Sequence, residues 1–109
     1  MNTCFLLVNA LPAWLRLSRA ERQRLFESEL LSLVPKHPGL TLRFFDAEAY
    51  SAVCSDILMI QPPDARALHF FMEGLRDSAL LTEPYFEVRH IIPCLENGFQ
   101  EYEKALAGV

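Results

Sequence analysis

Cys4-Phe5-Leu6-Leu7-Val8 and Asp56-Ile57-Leu58-Met59-Ile60 are the two stretches whose reading decides the fold. Both are apolar on both alternating parities, the pattern of a strand covered on its two faces. A strand with one solvated face would alternate polar with apolar residues, and neither does. Two such strands belong at the centre of a sheet, and something must cover both of its sides.

Outward from the first stretch, Ser18-Arg19-Ala20-Glu21 has capping-box spacing: the serine oxygen and the glutamate carboxylate can each satisfy an orphan amide at a helix start. Phe26, Leu30, Leu33 and Val34 follow at i, i+4, i+7 and i+8, which predicts one helix with one buried face, ended by Pro35 and the Pro38-Gly39 turn. Leu40, Leu42 and Phe44 alternate with Thr41, Arg43 and Phe45 in a second strand. Beyond the second stretch, Asp64 caps a helix whose stripe is Leu68, Phe71, Met72 and Leu75. Pro84 precedes the last strand, Tyr85 to Ile92, with Glu87 and Arg89 on one parity and Phe86, Val88 and Ile92 on the other. Asn97 is placed to cap a short terminal helix that Phe99, Tyr102 and Leu106 would hold against the body.

The order is βαββαβ. Right-handed crossovers turn it into an α+β domain of ferredoxin-like topology, with a four-stranded antiparallel sheet of order 4-1-3-2 and a short C-terminal helix. The two doubly apolar strands are then central. One helical layer leaves the far face of the sheet uncovered, with roughly 1.5–3 kcal/mol at stake for each large apolar side chain left wet. The expected cover is a second copy packed sheet to sheet, a homodimeric α/β barrel.

The 109 residues suit one domain with one core. Ten basic against fourteen acidic residues give a net charge of −4, which argues against nucleic acid and against an anionic membrane surface. No apolar run approaches the ~18 residues of a membrane span. Cys4, Cys54 and Cys94 are odd in number without C-x-x-C spacing, and the first residues lack the pattern of a secretory signal, so the expected location is the cytoplasm. No glycine-rich phosphate loop, paired metal histidines or flavin fingerprint is present, and the expectation is a protein without cofactor.

Arg43-Phe44-Phe45-Asp46-Ala47-Glu48-Ala49-Tyr50, Cys54-Ser55-Asp56-Ile57, Leu75-Arg76-Asp77, Pro84-Tyr85-Phe86-Glu87, and Ile91-Ile92-Pro93 with Glu96-Asn97-Gly98-Phe99 together resemble the darcynin family of small bacterial and fungal proteins. The likeness extends over nearly the whole chain. It implies the dimeric α/β barrel, in which two ferredoxin-like sheets face each other and often enclose a small-molecule cavity. Relatives by fold include cofactor-independent monooxygenases, polyketide cyclases, dehydratases, haem enzymes and proteins without known activity, so the resemblance carries the fold and not the chemistry.

The segment from Asp46 to Asp56 is the densest in functional groups, and its length of about ten residues exceeds the ~2–5 of ordinary hairpins. Asp46 and Asp56 can contact a ligand or simply cap turn amides. Arg43 and Phe45 share a strand face opposite Leu42 and Phe44, so Arg43 would point between the sheets, as would Glu87 and Arg89 by the same parity rule. Arginine there can grip a carboxylate or phenolate; a rim ion pair is the plainer reading. His90 is the natural general base, although a lone histidine among apolar neighbours is more often a core residue. Glu87 and His90, three apart on a strand, would project to opposite faces and could not chelate one metal. His90 as a haem ligand lacks a second residue at useful spacing. Trp14 can close one end of a cavity or cover the first helix, and Tyr50 or Tyr85 can donate a hydrogen bond.

Two function classes stand on these residues. One is a binder of a small apolar, aromatic or polyketide-like metabolite, with cofactor-independent oxygenation, cyclisation, dehydration or isomerisation as its chemistry. There His90, Glu87 and Tyr50 would be catalytic, while Arg43, Phe45, Asp46, Asp56, Tyr85, Arg89 and Trp14 bind the ligand. The other is a non-catalytic homodimer serving regulation, interaction or sequestration, which the absence of a convergent acid-base set favours.

Overall fold

The computed structural model describes residues 1–108. Its sheet has four antiparallel strands, β1 (Thr3–Ala10), β2 (Thr41–Asp46), β3 (Asp56–Gln61) and β4 (Phe86–Cys94), in the order β2-β3-β1-β4. That is the 4-1-3-2 arrangement of a ferredoxin-like α+β domain, and β1 and β3 are its central strands.

Helices cover one face. α1 (Pro12–Leu15) starts on a proline whose missing amide costs a first turn nothing. α2 (Arg19–Leu25) opens on the complete Ser18/Glu21 capping box. The single helix expected through Val34 instead changes pitch, to a π turn over Phe26–Leu30 and a 3₁₀ segment over Leu31–Lys36. Pro35 has no amide to continue an α ladder, and the tighter 3₁₀ turn accommodates it. α3 (Ala65–Asp77) is capped by Asp64, whose carboxylate accepts the Ala67 amide at 2.8 Å. A short α4 (Ala79–Thr82), not expected from the sequence, turns the chain into β4.

Cys4, Leu6 and Val8 of β1 and Leu58 and Ile60 of β3 are buried beneath these helices with Leu30, Leu33, Phe71, Leu75 and Leu80. The alternate residues form the other face. The strand register lays them out in two rows across all four strands: Arg43, Met59, Phe5, Ile92 and then Phe45, Ile57, Leu7, His90. Among the described residues no element covers these rows; Phe5, Leu7, Ile57 and Met59 are only half-buried, and Phe45 and Ile92 are exposed.

A bulge in β4 corrects the parity reading of that strand. Val8 pairs with Val88 but Leu7 pairs with His90, so Arg89 is the inserted residue and the alternation slips by one. His90 and Ile92 therefore lie on the open face, while Val88 packs into the core. Glu87, opposite Asn9, lies on the same face as His90, not the opposite one as simple alternation predicted.

The last helix, α5 (Gly98–Gly108), is a second correction. Phe99, Tyr102 and Leu106 do not hold it against the body: they are 64%, 66% and 59% exposed, and no residue of α5 is buried. β4 ends at Cys94, paired with Thr3 at the edge of the sheet, and α5 follows beyond that end without extensive packing on any other described element. Asn97 enters it at φ 53°, a left-handed conformation that asparagine tolerates, and its carbonyl accepts the Gln100 amide at 2.9 Å.

Candidate functional site

A cavity of about 420 Å³ opens between the helices and the covered face of the sheet. Its floor is Val8, Leu58 and Phe44 from the strands. Phe26 and Leu30, four apart on the π turn, form one wall, and Leu75, Leu80 and Leu81 another. Trp14 and Phe86 close one end, with ring centroids 4.8 Å apart, and Tyr85 packs edge-on to Trp14 at 5.7 Å. Phe26 and Phe44 meet in a T-shaped pair at 5.1 Å. The lining is thus mainly aliphatic and aromatic, as in small-molecule sites generally.

Its acidic groups gather at the end formed by the termini of β2 and β3. Asp46 and Asp56 are register partners, and both line the cavity with Glu48. Asp46 and Glu48 are exposed at the mouth, whereas Asp56 is 8% exposed. Asp46 Oδ1 accepts the Glu48 amide at 3.2 Å, the turn-capping role of such a residue. Asp56 Oδ2 accepts the Ser55 hydroxyl at 2.7 Å, and Ser55 Oγ also accepts the Ala10 amide at 2.7 Å, which fixes the carboxyl to the central strand. Burial pushes the Asp56 carboxyl above its ordinary range; the Ser55 hydrogen bond opposes this, and the negative charges of Asp46 and Glu48 add to it. Asp56 is therefore a carboxyl group suited to holding and releasing a proton inside an apolar space.

Across the mouth stand Arg19, Arg22 and Gln23 of α2. Arg22 is committed to structure: its Nε donates to the Trp14 carbonyl at 3.1 Å and its Nη2 to the Leu15 carbonyl at 2.7 Å, tying α2 to the end of α1.

Three of the residues singled out in the sequence, Trp14, Asp46 and Asp56, are brought together at this cavity, with Tyr85 supporting Trp14 from behind. Others lie elsewhere. Arg43, Phe45, Glu87 and His90 are on the open face, where the Arg43 guanidinium lies 5.4 Å over the Phe45 ring. Arg89 pairs with Glu87 at 3.2 Å, both about half exposed. Tyr50 is 96% exposed in the β2–β3 connection and contacts neither place. Arg19, Gln23 and Glu48 were not singled out as ligand contacts. The signal for Glu48 was available, because Asp46 shares the parity of Leu42 and Phe44, which puts the start of that loop on the helix side.

No histidine or cysteine lines the cavity, so its walls offer no axial ligand of the kind that holds haem. Among the described residues no group of three or more His, Cys, Asp or Glu is arranged to hold a metal ion, and no helix is long and apolar enough to cross a membrane.

Residues 1–107 match the family described as Darcynin, domain of unknown function. The chain belongs to the darcynin family. The Darcynin of Chromobacterium violaceum is 47% identical over 72 residues, 66% of this chain and 91% of that protein. Darcynin 1 of Acinetobacter baumannii is 36% identical over 87 residues, 80% and 97% of the two chains. Among solved structures, a putative chlorite dismutase superposes with a TM-score of 0.67 at 16% identity, over 82% of this chain and 40% of that one. A chlorite dismutase of Nitrobacter winogradskyi described as dimeric superposes with a TM-score of 0.63 at 14% identity, over 83% and 53%. The darcynin chain spans about half or less of the length of these structures, and at such identities they show its fold alone, a ferredoxin-like α+β domain.

Proposed function

We propose that this darcynin is a homodimeric binder of a small, largely apolar aromatic or polyketide-like metabolite, held in the cavity between helices and sheet, with Asp56 as the group that moves a proton. The observation that carries the reading is one buried carboxyl in the wall of a mainly apolar cavity of about 420 Å³, whose other polar groups stand at its mouth, within the ~300–1,000 Å³ of small-molecule sites. An aromatic body would fit among Trp14, Phe26, Phe44 and Phe86, and a hydroxyl or carbonyl would meet Asp56. Protonated, Asp56 donates to a developing oxyanion; ionised, it removes a proton from an acidic carbon or phenol. Either suits isomerisation, dehydration or cyclisation without a cofactor. The open sheet face supports the dimer, because its two rows, apolar but for Arg43 and His90, are the surface that a second sheet would dry.

Calorimetric titration with 2-naphthol tests the cavity. One saturable site per subunit is expected in the wild type, and Leu81→Trp, which fills the space from one wall, should abolish it. Equal binding by Leu81→Trp, or none by the wild type, overturns the reading.

A further inference from the structure

We propose that the ligand of this cavity is an arylalkylamine, its ring among Trp14, Phe26, Phe44 and Phe86 and its ammonium seated between Asp46 and Asp56. The inference rests on the cavity reading just given and names the polar group that its ligand carries.

The β2–β3 ladder supplies the first argument. Asp46 and Asp56 are register partners that both line the cavity, so two carboxyl groups face one space with their Cβ atoms ~4.5–5.5 Å apart. Like charges so placed repel, and the one ion pair among the described residues lies elsewhere, between Glu87 and Arg89. An ammonium brings a positive charge and three donors, enough to bridge both carboxylates in the negative field that Glu48 extends to the mouth.

Asp56 has an oxygen for it. Oδ2 accepts the Ser55 hydroxyl at 2.7 Å, whereas Oδ1 accepts no hydrogen bond from any described residue. Asp56 is 8% exposed, yet among the described residues every side-chain oxygen or nitrogen sealed from solvent has a partner, so Oδ1 opens into the cavity. The guanidiniums of the mouth do not take the ammonium's place. Arg22 is bound to the Trp14 and Leu15 carbonyls, and Arg19 is exposed and pairs with no described carboxylate. The charges that act on Asp56 are those of Asp46 and Glu48, both negative.

The rings set the rest of the ligand. Phe44 pairs with Leu58 and is diagonal to Asp56 in the ladder, so a cation at Asp56 has an aromatic neighbour in the cavity floor. Phe86 pairs with Ala10, two strands and one same-face step from Asp56, or ~12 Å between Cα atoms at ~4.8 Å per strand and ~3.4 Å per residue. Less the reach of the two side chains, that span suits a flat ring against Trp14 and Phe86 with a two-carbon tail ending at the carboxyls.

Calorimetric titration of the full chain with three probes tests the ligand class: tryptamine, a cation at neutral pH; indole-3-propionate, an anion of similar size; and neutral 2-naphthol. Tryptamine should bind at one site per subunit, roughly thirtyfold or more tighter than indole-3-propionate, and Leu81→Trp should abolish its binding. Asp46→Asn keeps an oxygen for the Glu48 amide and should narrow the preference for tryptamine about tenfold. Just above the ordinary aspartate value, ~3.9, tryptamine binding should release a proton, because the ammonium favours the carboxylate form of Asp56; buffers of different ionisation enthalpy read that release, and Asp56→Asn should show none. Binding of 2-naphthol without a preference for tryptamine overturns the amine alone, as does a preference untouched by Asp46→Asn or tryptamine binding without proton release. No binding of any probe overturns the cavity reading and the amine together.

Discussion

Asp46 and Asp56 stand opposite each other in the β2–β3 ladder, with both side chains on the helix side of the sheet at one end of the cavity. Like charges directly opposite in a ladder repel. Here the deeper of the two also gives up most of its hydration, and the single compensation is the Ser55 hydroxyl.

That arrangement sets a pH dependence for stability. The folded Asp56 carboxyl titrates above the ordinary aspartate value, so between the unfolded and folded values the folded state binds more protons. Stability from this group is therefore full below the unfolded value, ~3.9, and is lost as pH rises through the raised folded value. Asp56→Asn keeps an oxygen for Ser55 and removes the titration. Calorimetric unfolding across the acidic range should show the two proteins close in Tm at the acid end, with the variant higher at neutral pH. A wild type that gains on the variant as pH rises would contradict this.

At the mouth of the same cavity, the Ser18/Glu21 box holds the start of α2, which carries Arg19, Arg22 and Gln23. Hydrogen bonds from the Ser18 amide and hydroxyl keep the Glu21 carboxyl below its usual range. Ser18→Ala removes the side-chain acceptor of the Glu21 amide, and denaturant unfolding should show a loss of about 1 kcal/mol. No measurable loss would mean that α2 is held by packing alone.

Much of this was legible in the residues because period and parity are local. The doubly apolar Cys4–Val8 and Asp56–Ile60 stretches named the central strands, and alternation put Arg43 and Phe45 on the face opposite Phe44. The bulge at Arg89 was not legible: one inserted residue leaves no mark in composition, yet it moves His90 and Ile92 to the open face. The fate of α5 was hidden for a different reason. An i, i+3, i+7 stripe shows that a helix has an apolar face, and says nothing of whether that face meets its own chain. The cavity lay between, since Asp46 and Asp56 stood out chemically while the lining is drawn from elements spread along the chain from Val8 to Phe86.

The row Phe45, Ile57, Leu7, His90 crosses the middle of the open face, so a charge at Ile57 would lose its hydration in any sheet-to-sheet dimer. Ile57→Asp should sediment as a single subunit at micromolar concentration with its helical signal intact. Leu58→Ala, one residue on and facing the core at 3% exposed, should instead cost about 2–5 kcal/mol of unfolding free energy and leave the assembly state unchanged. If Ile57→Asp remains a dimer, the subunits associate by another surface.

Arg22 offers the most local test of how the cavity is closed. Its guanidinium bonds the carbonyls of Trp14 and Leu15, the last residues of a helix only four residues long, which is otherwise held by the half-buried Trp14 ring on Tyr85 and Phe86. Arg22→Met keeps the bulk of the stem and removes both charge-assisted bonds, each worth ~1.5–3 kcal/mol at the upper end and less where water competes. Trp14 is the single tryptophan of the chain, so its fluorescence reports this end of the cavity alone. The variant should show stronger acrylamide quenching and weaker 2-naphthol binding, with a small loss of stability. Unchanged quenching would mean that the Tyr85 and Phe86 rings hold Trp14 without help from α2, and that the end wall of the cavity is built by aromatic packing rather than by the arginine.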